Sequence, residues 1–194
     1  MYLRTEEYFE ISMNKQLETS RLLLESVTAE EYQQQFIHDS VEVVRSRWNL
    51  SFDRIQKEKV RAQKGYETAN KSLLLFLIRS KTSSNYIGWC GFHTWYLDHQ
   101  RAEIGYGLYD DAYKQQGIMT EALAAVLHFG FTSLQLQRVE AFIGRDNIAS
   151  QRLVQKMGFR EEGCLRAHYY TQNQYEDSMV FGLLQHEFKK INPE

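Results

Sequence analysis

The stretch "SLLLFLIRS", residues 72–80, is a nearly continuous apolar run, and "NYIGWCGFHTWYL", residues 85–97, follows it across the polar link "KTSSN". Runs of this length and composition, bounded by turn residues, read as two strands of an antiparallel hairpin. The hairpin commits the chain to a sheet, and its neighbours decide what kind. "LETSRLLLESV" (17–27) reads as a strand before it, and "RAEIGYGLY" (101–109), "RVEAFI" (138–143), "CLRAHYY" (164–170) and "QYEDSMVFGLL" (174–184) as strands after it, the last two joined by "TQNQ". Between them lie helical segments. Thr28 with Glu31 three positions on has capping-box spacing for one helix, and a charged region over about 52–66 ending near Gly65 reads as a second. After Gly117, Met119, Leu123, Val126 and Leu127 recur at spacings of three and four, which gives that helix a buried face. "NIASQRLVQKMGF" has Asn147 in N-cap position and Gly158 just past its end.

The order β-α-α-β-β-β-α-β-α-β-β predicts an α/β (α+β) fold, with a mixed, mostly antiparallel seven-stranded sheet and helices on both faces. With 194 residues, 43% hydrophobic content and a single proline at Pro193, one well-cored domain is expected, over 17–190 behind a polar leader at 1–16. The 23 basic against 25 acidic side chains leave a net charge of -2, so the totals give no case for nucleic-acid or membrane-surface binding. No apolar run approaches the roughly 20 residues of a membrane span. Cys90 and Cys164 stand far apart, which suits reduced thiols in the cytoplasm, and no His/Cys/Asp/Glu cluster has metal-ligand spacing.

Two features point to chemistry. Gly117 sits in the polar run "YKQQG" at the head of a helix, where backbone N–H groups and a partial charge of about +0.5 favour an anion. By itself, a glycine there is also what plain turn geometry asks for. In "RAEIGYGLY", side chains alternate, so Ile104, Tyr106 and Leu108 share one face and Glu103, Gly105 and Gly107 the other. A carboxylate beside two glycines leaves space over the backbone, for a ligand or for a large neighbouring side chain.

"RVEAFIGRDNIASQRLVQKMGFREEG" together with "AEIGYGLYDDAYKQQGIMTEAL" resembles the GNAT superfamily of acyl-CoA N-acetyltransferases, in its RimJ/RimL-like branch of ribosomal-protein N-terminal acetyltransferases. "LETSRLLL" and "EGCLRAHYYTQNQYEDSMVFGLL" extend the resemblance over about 17–188. The resemblance implies a sheet splayed between its fourth and fifth strands, with acetyl-CoA wedged in the opening. The pantetheine arm would pair with backbone near Leu108 and Tyr109. The diphosphate would sit on the loop Lys114, Gln115, Gln116, Gly117, Ile118, Met119 and Thr120. Against the family pattern Q/R-x-x-G-x-G/A, Lys114 takes the first place and Met119 the sixth. Lysine keeps the charge, and N–H donors do not depend on the side chain.

Asn147 and Ser150 would lie along the cofactor arm. Many members place a tyrosine seven positions after that asparagine to protonate the leaving thiolate; here the residue is Val154, and the role passes to Ser150. Glu103 is the first choice of general base, with His168 and Tyr169 as alternatives; some relatives carry a glutamate at the place of Tyr169. Trp48, Trp95, Tyr169, Tyr170 and Tyr175 are candidates for shaping the acceptor cleft, and Asp177 matches a branch position to which the sequence assigns no role. The acceptor would be a primary amine, either a protein N-terminus or a small molecule such as a polyamine, an amino acid or an aminoglycoside. A noncatalytic acyl-CoA-binding module is the third reading. An α-amine of pKa ~7.8 is ~14% neutral at pH 7 and a lysine of pKa ~10.4 only ~0.04%, so an N-terminal amine asks far less of a base. Whether the chain works alone or as a homodimer is left open.

Overall fold

The computed structural model describes residues 15–66, 68, 70–171 and 173–191; most of the polar leader lies outside them. Eight strands form one sheet in the order β1-β2-β3-β4-β5-β6-β8-β7, where β1 is Gln16–Glu18, β2 Leu22–Thr28, β3 Lys71–Ser80, β4 Tyr86–Tyr96, β5 Arg101–Leu108, β6 Arg138–Gly144, β7 Arg160–Thr171 and β8 Gln174–Leu184. Every pairing is antiparallel except β5 with β6. Among the described residues six α-helices accompany them: α1 Ala29–His38, α2 Val41–Trp48, α3 Phe52–Ala62, α4 Ile118–Thr132, α5 Ile148–Lys156 and α6 Gln185–Ile191.

The apolar run in β3 has a simple cause. Leu74, Phe76 and Ile78 pack into a core with α4 and α5, while Leu73, Leu75 and Leu77 pack on the opposite side with Phe36, Val44, Trp48 and Ile55 of α1, α2 and α3. A central strand covered on both faces has no solvent side to mark with polar residues. The helices thus fall into two layers around the sheet.

The expected fold class holds, with three additions. The expected first strand is broken at Thr19–Arg21 into β1 and β2, which makes eight strands where seven were expected. The break exists because Glu121 in the first turn of α4 collects this segment. Its carboxylate accepts from the Thr19 hydroxyl (2.5 Å), the Ser20 hydroxyl (3.0 Å), the Arg21 N–H (2.9 Å) and the Arg21 guanidinium (2.6 Å). Burial pushes the Glu121 carboxyl upward, but these donors outweigh it and hold it down at about 2. Between the two expected early helices stands α2, capped by Ser40 and ended by Asn49 in the left-handed conformation (φ 50°). Its valines had no clear helical signature, since β-branched residues favour strands. The third addition is α6, after the last strand. The Thr28–Glu31 capping box is present as expected.

The parallel pair positions the site. Arg101, Ala102 and Glu103 of β5 face Arg138, Val139 and Glu140 of β6, and the pairing stops there. From Ile104 onward the two strands diverge, and the sheet is open between them.

Candidate active site

On the α4 and α5 side of that opening lies a cleft of about 570 Å³. Tyr106, Gly107 and Leu108 form one wall, the loop residues Lys114, Gln115, Gly117, Ile118, Met119 and Thr120 the mouth, and Asn147, Ser150 and Leu153 the other wall. The loop reaches α4 through two left-handed residues, Gln115 (φ 59°) and Gly117 (φ 73°). Gly117 is the N-cap of α4 and offers no side-chain cap, so the first-turn N–H groups are left for a ligand. Arg21 braces this turn from outside by donating to the Gln116 carbonyl at 3.0 Å. A Cβ on Gly117 would meet the Arg21 guanidinium at 3.5 Å. Lys114 is ion-paired to Asp111 at 2.5 Å at the mouth. Across the cleft, Asn147 caps α5 by accepting the Ser150 N–H at 3.1 Å, and the Tyr106 hydroxyl donates to the Ser150 carbonyl at 3.4 Å. An open helix start with unused donors above a long groove fits a diphosphate joined to a slender arm.

Tyr109 and the side chain of Gln116 are turned elsewhere. The Tyr109 N–H donates to Ile87 O, its carbonyl accepts from the Asn49 amide and its hydroxyl donates to Arg47 O. The Gln116 amide donates to Ala112 O. Val154 is fully buried in the core, so the seat that many GNAT members give to a tyrosine is an apolar packing position here.

The opposite face of β5 carries a second cluster. Glu103 is 9% exposed, with His93 Nε2 3.3 Å from its Oε1 and a hydrogen bond from Thr94. Burial, and then the neighbouring Glu140, push its carboxyl up to about 7; Lys71, Thr94 and Arg101 pull the other way. Burial and Lys71 hold His93 below its ordinary value, so its ring is neutral beside Glu103 at pH 7. Of the two glycines of β5 on this face, Gly105 makes room for protein, not ligand. A Cβ on Gly105 would sit 2.4 Å from the His93 ring and 2.9 Å from Trp89, and one on Gly107 3.4 Å from Trp89. The expected empty space is filled by those two rings.

The remaining members come from β7 through a bulge. Leu165 pairs with Ser178 and Tyr169 with Glu176, so four steps of β7 span two of β8. Ala167, in the extra segment, is left-handed (φ 51°), and its N–H is held by Asp177 Oδ1 at 2.9 Å. This is the role of Asp177 that the sequence left unassigned. The bulge carries His168 to within 3.1 Å of Ser178 Oγ and edge-on to Phe142, and stacks it against Tyr169 at 4.4 Å between ring centroids. Burial, and then the Glu103 charge, raise the Tyr169 hydroxyl above its ordinary value, so Tyr169 stays a neutral donor near Glu103. Tyr170 and Tyr175 are exposed on the same hairpin. Trp48 and Trp95, taken from sequence as cleft candidates, are core residues at 4% and 3% exposure; the Trp48 indole N–H donates to Gln35 inside the second core.

Residues 21–160 match the family model described as "Acetyltransferase (GNAT) domain". The chain is a GNAT acetyltransferase. It is 30% identical over 170 residues to the uncharacterized N-acetyltransferase YoaA of Bacillus subtilis (strain 168), covering 87% of this chain and 96% of that one. It is 34% identical over 83 residues to the ribosomal-protein-serine acetyltransferase of Escherichia coli (strain K12), covering 43% and 46%. Among solved structures, a putative ribosomal-protein-serine acetyltransferase from Vibrio cholerae superposes with a TM-score of 0.62 at 25% identity, over 88% of this chain and 98% of that one. RimL, a ribosomal L7/L12 α-N-protein acetyltransferase in complex with coenzyme A, gives 0.64 at 18% identity over 88% and 98%, which shows the shared fold. The GNAT chain is therefore an acetyl-CoA-dependent acyltransferase, and its relatives include RimJ/RimL-like enzymes. Among the described residues, no helix is long and apolar enough to cross a membrane.

Proposed function

We propose that the protein transfers the acetyl group of acetyl-CoA to the α-amine of a protein N-terminus, with a ribosomal protein as the preferred class of acceptor. The observation that carries this reading is Glu103: a carboxyl raised to about 7, on the face of the open strand pair opposite the cleft. A base with that affinity for protons removes one from an amine near neutral pH, directly or through one water. An α-amine, partly neutral at pH 7, needs no stronger base, whereas a lysine side chain starts at a disadvantage of roughly 350-fold. The ribosomal-protein relative supports the choice of acceptor.

In this reading the loop from Lys114 to Thr120 holds the diphosphate with main-chain donors, and the walls at Leu108, Asn147 and Ser150 align the arm. Acetyl-CoA brings the acetyl group. The residues of this chain orient the attack, which supplies most of what a direct transfer needs. Glu103 takes the amine proton, with His168 and Tyr169 ordering the approach above it. Ser150, at the cleft wall, donates to the departing sulfur. The thiols of Cys90 and Cys164, both free, support a cytoplasmic setting.

Release of free CoA thiol over a panel of amines tests the proposal. Peptides with free Ser or Ala N-termini are expected to turn over well above lysine, spermidine or aminoglycosides at equal concentration, and Nα-acetylated peptides not at all. Preferred turnover of spermidine would replace the N-terminal reading by the small-amine one. Tight CoA binding without turnover of any amine would leave a binding module.

A further inference from the structure

The last rung of the parallel pair sets two glutamates side by side. Glu103 and Glu140 are register partners on strands about 4.8 Å apart, so their side chains leave the sheet on the same face, and both are buried, at 9% and 8% exposure. Two rungs before it, and so on the same face, Arg101 pairs with Arg138. Those two cations are not shared evenly. Arg101 ion-pairs with Glu140, while its guanidinium lies over the Tyr96 ring. Arg138 Nε sits 3.2 Å from Glu140 Oε2, and its other nitrogens reach Glu162 on β7 at 2.6 and 2.9 Å. Among the described residues, no arginine or lysine comes within ion-pair distance of Glu103; its contacts are the neutral His93 ring and Thr94. One carboxylate of the pair is thus given two cations, and the other none.

We propose that Glu140 is a positioning residue of this site: ion-paired with Arg101 and Arg138, it faces Glu103 across the last rung before the strands part and governs when that neighbour holds a proton. Two carboxylates this close and this sheltered from water resist ionising together, and Glu103, without an ion-pair partner of its own, is the one pushed toward its neutral form. The other groups facing Glu103 are Lys71 from β3, His93 and Thr94 from β4, Arg101 on its own strand and Tyr169 from β7. Lys71 and Arg101 favour the charged form of Glu103, while burial and Glu140 oppose it. The inference that this matters for catalysis rests on Glu103 being the base; the coupling itself does not.

The coupling is read without substrate, by following the Glu103 carboxyl carbon in the 13C-labelled full chain as pH is varied, with Glu103→Gln to assign the signal. Glu140→Gln removes a charge and frees two cations, so the midpoint is expected to fall by about one pH unit, a tenfold change in proton affinity. Arg138→Gln touches Glu140 and not Glu103, and leaves Glu140 less neutralised, so the midpoint is expected to rise by about 0.3 unit, roughly twofold. Mere loosening of the site would admit water and lower both. Opposite shifts support the proposal; an unmoved midpoint in either folded variant, or the same sign in both, overturns it. The acid limb of kcat/KM against pH is then compared. If that limb ignores a midpoint that has moved in opposite senses, the base reading of Glu103 fails while its coupling to Glu140 stands.

Discussion

The two faces of β5 are built by opposite means. On the cleft side the candidate groups are main-chain donors from a short loop, and their geometry is set by local conformations at Gln115 and Gly117. On the opposite face the candidate groups are side chains delivered by four strands: His93 from β4, Glu103 from β5, Glu140 from β6, His168 and Tyr169 from β7. The first arrangement tolerates substitutions such as Lys114 and Met119, because an N–H is present whatever the side chain. The second depends on which residues meet and on how much water they exclude.

The two carboxylates at these places carry the contrast further. Glu121, beneath the loop, is stabilised as an anion by Thr19, Ser20 and Arg21, whereas Glu103 is held toward its neutral form by burial and Glu140. One holds a scaffold together. The other is held ready to keep a proton near neutral pH, which is what the proposed base role asks of it.

The largest expected effect separates the faces by kinetics. Glu103→Gln should lower kcat toward an N-terminal peptide about a hundredfold at pH 8, the low end for losing a general base, and abolish the acid limb near pH 7. Calorimetry should show CoA affinity within about twofold of the parent, since nothing in the cleft changes. Loss of CoA affinity instead would mean that the faces are not independent.

Gly117→Asp tests the cleft from the other side. A carboxylate at the open helix start would repel a diphosphate and strain a left-handed position, together about 2–3 kcal/mol, or roughly 30- to 150-fold in Kd for CoA. Thermal stability should fall by much less than an equivalent core change, because the space beside Gly117 is open apart from Arg21.

A smaller effect is expected on stability, and its sign depends on pH. The folded state raises the Glu103 carboxyl from an ordinary 4.5 to about 7. A group shifted upward helps the fold below pH 4.5, and that contribution is lost as pH climbs through 7. Glu103→Gln should therefore be more stable than the parent by about 2 kcal/mol at pH 8.5 and show little of that gain at pH 5, as read by urea denaturation at both values. An equal gain at both would remove the charge argument for the acceptor face.

The smallest effect belongs to Arg21→Ala. This half-exposed side chain braces the Gln116 carbonyl and pairs with Glu121, an ion pair of modest worth in water. CoA Kd is expected to rise about threefold through a looser loop, with kcat at saturation unchanged; a loss in kcat would tie the brace to chemistry.

Local signals carried much of this molecule in the open. The Thr28–Glu31 capping box, the Gly117 turn and the Asn147 cap all stand where their spacing put them, because each rests on hydrogen bonds among residues three or four apart. The segment Thr19–Arg21 was read as strand because nothing nearby in sequence announces Glu121, about a hundred residues on, which bends it. Gly105 of β5 was visible, but its purpose was not, since His93 and Trp89 come from the neighbouring strand. Asp177 had no role until the bulge it holds was seen.

The sequence by itself determined the main run of strands and helices, the strand at the apolar run of β3 and the anion-ready turn before α4, since these follow from short-range periodicity and backbone geometry. Only the tertiary structure decided that Glu103 sits beside Glu140 with the nearby arginines paired to the latter, and that Trp48 and Trp95 belong to the core. Proton affinity depends on charges and water within a few ångströms in space, and the chain brings those neighbours together from five separate strands.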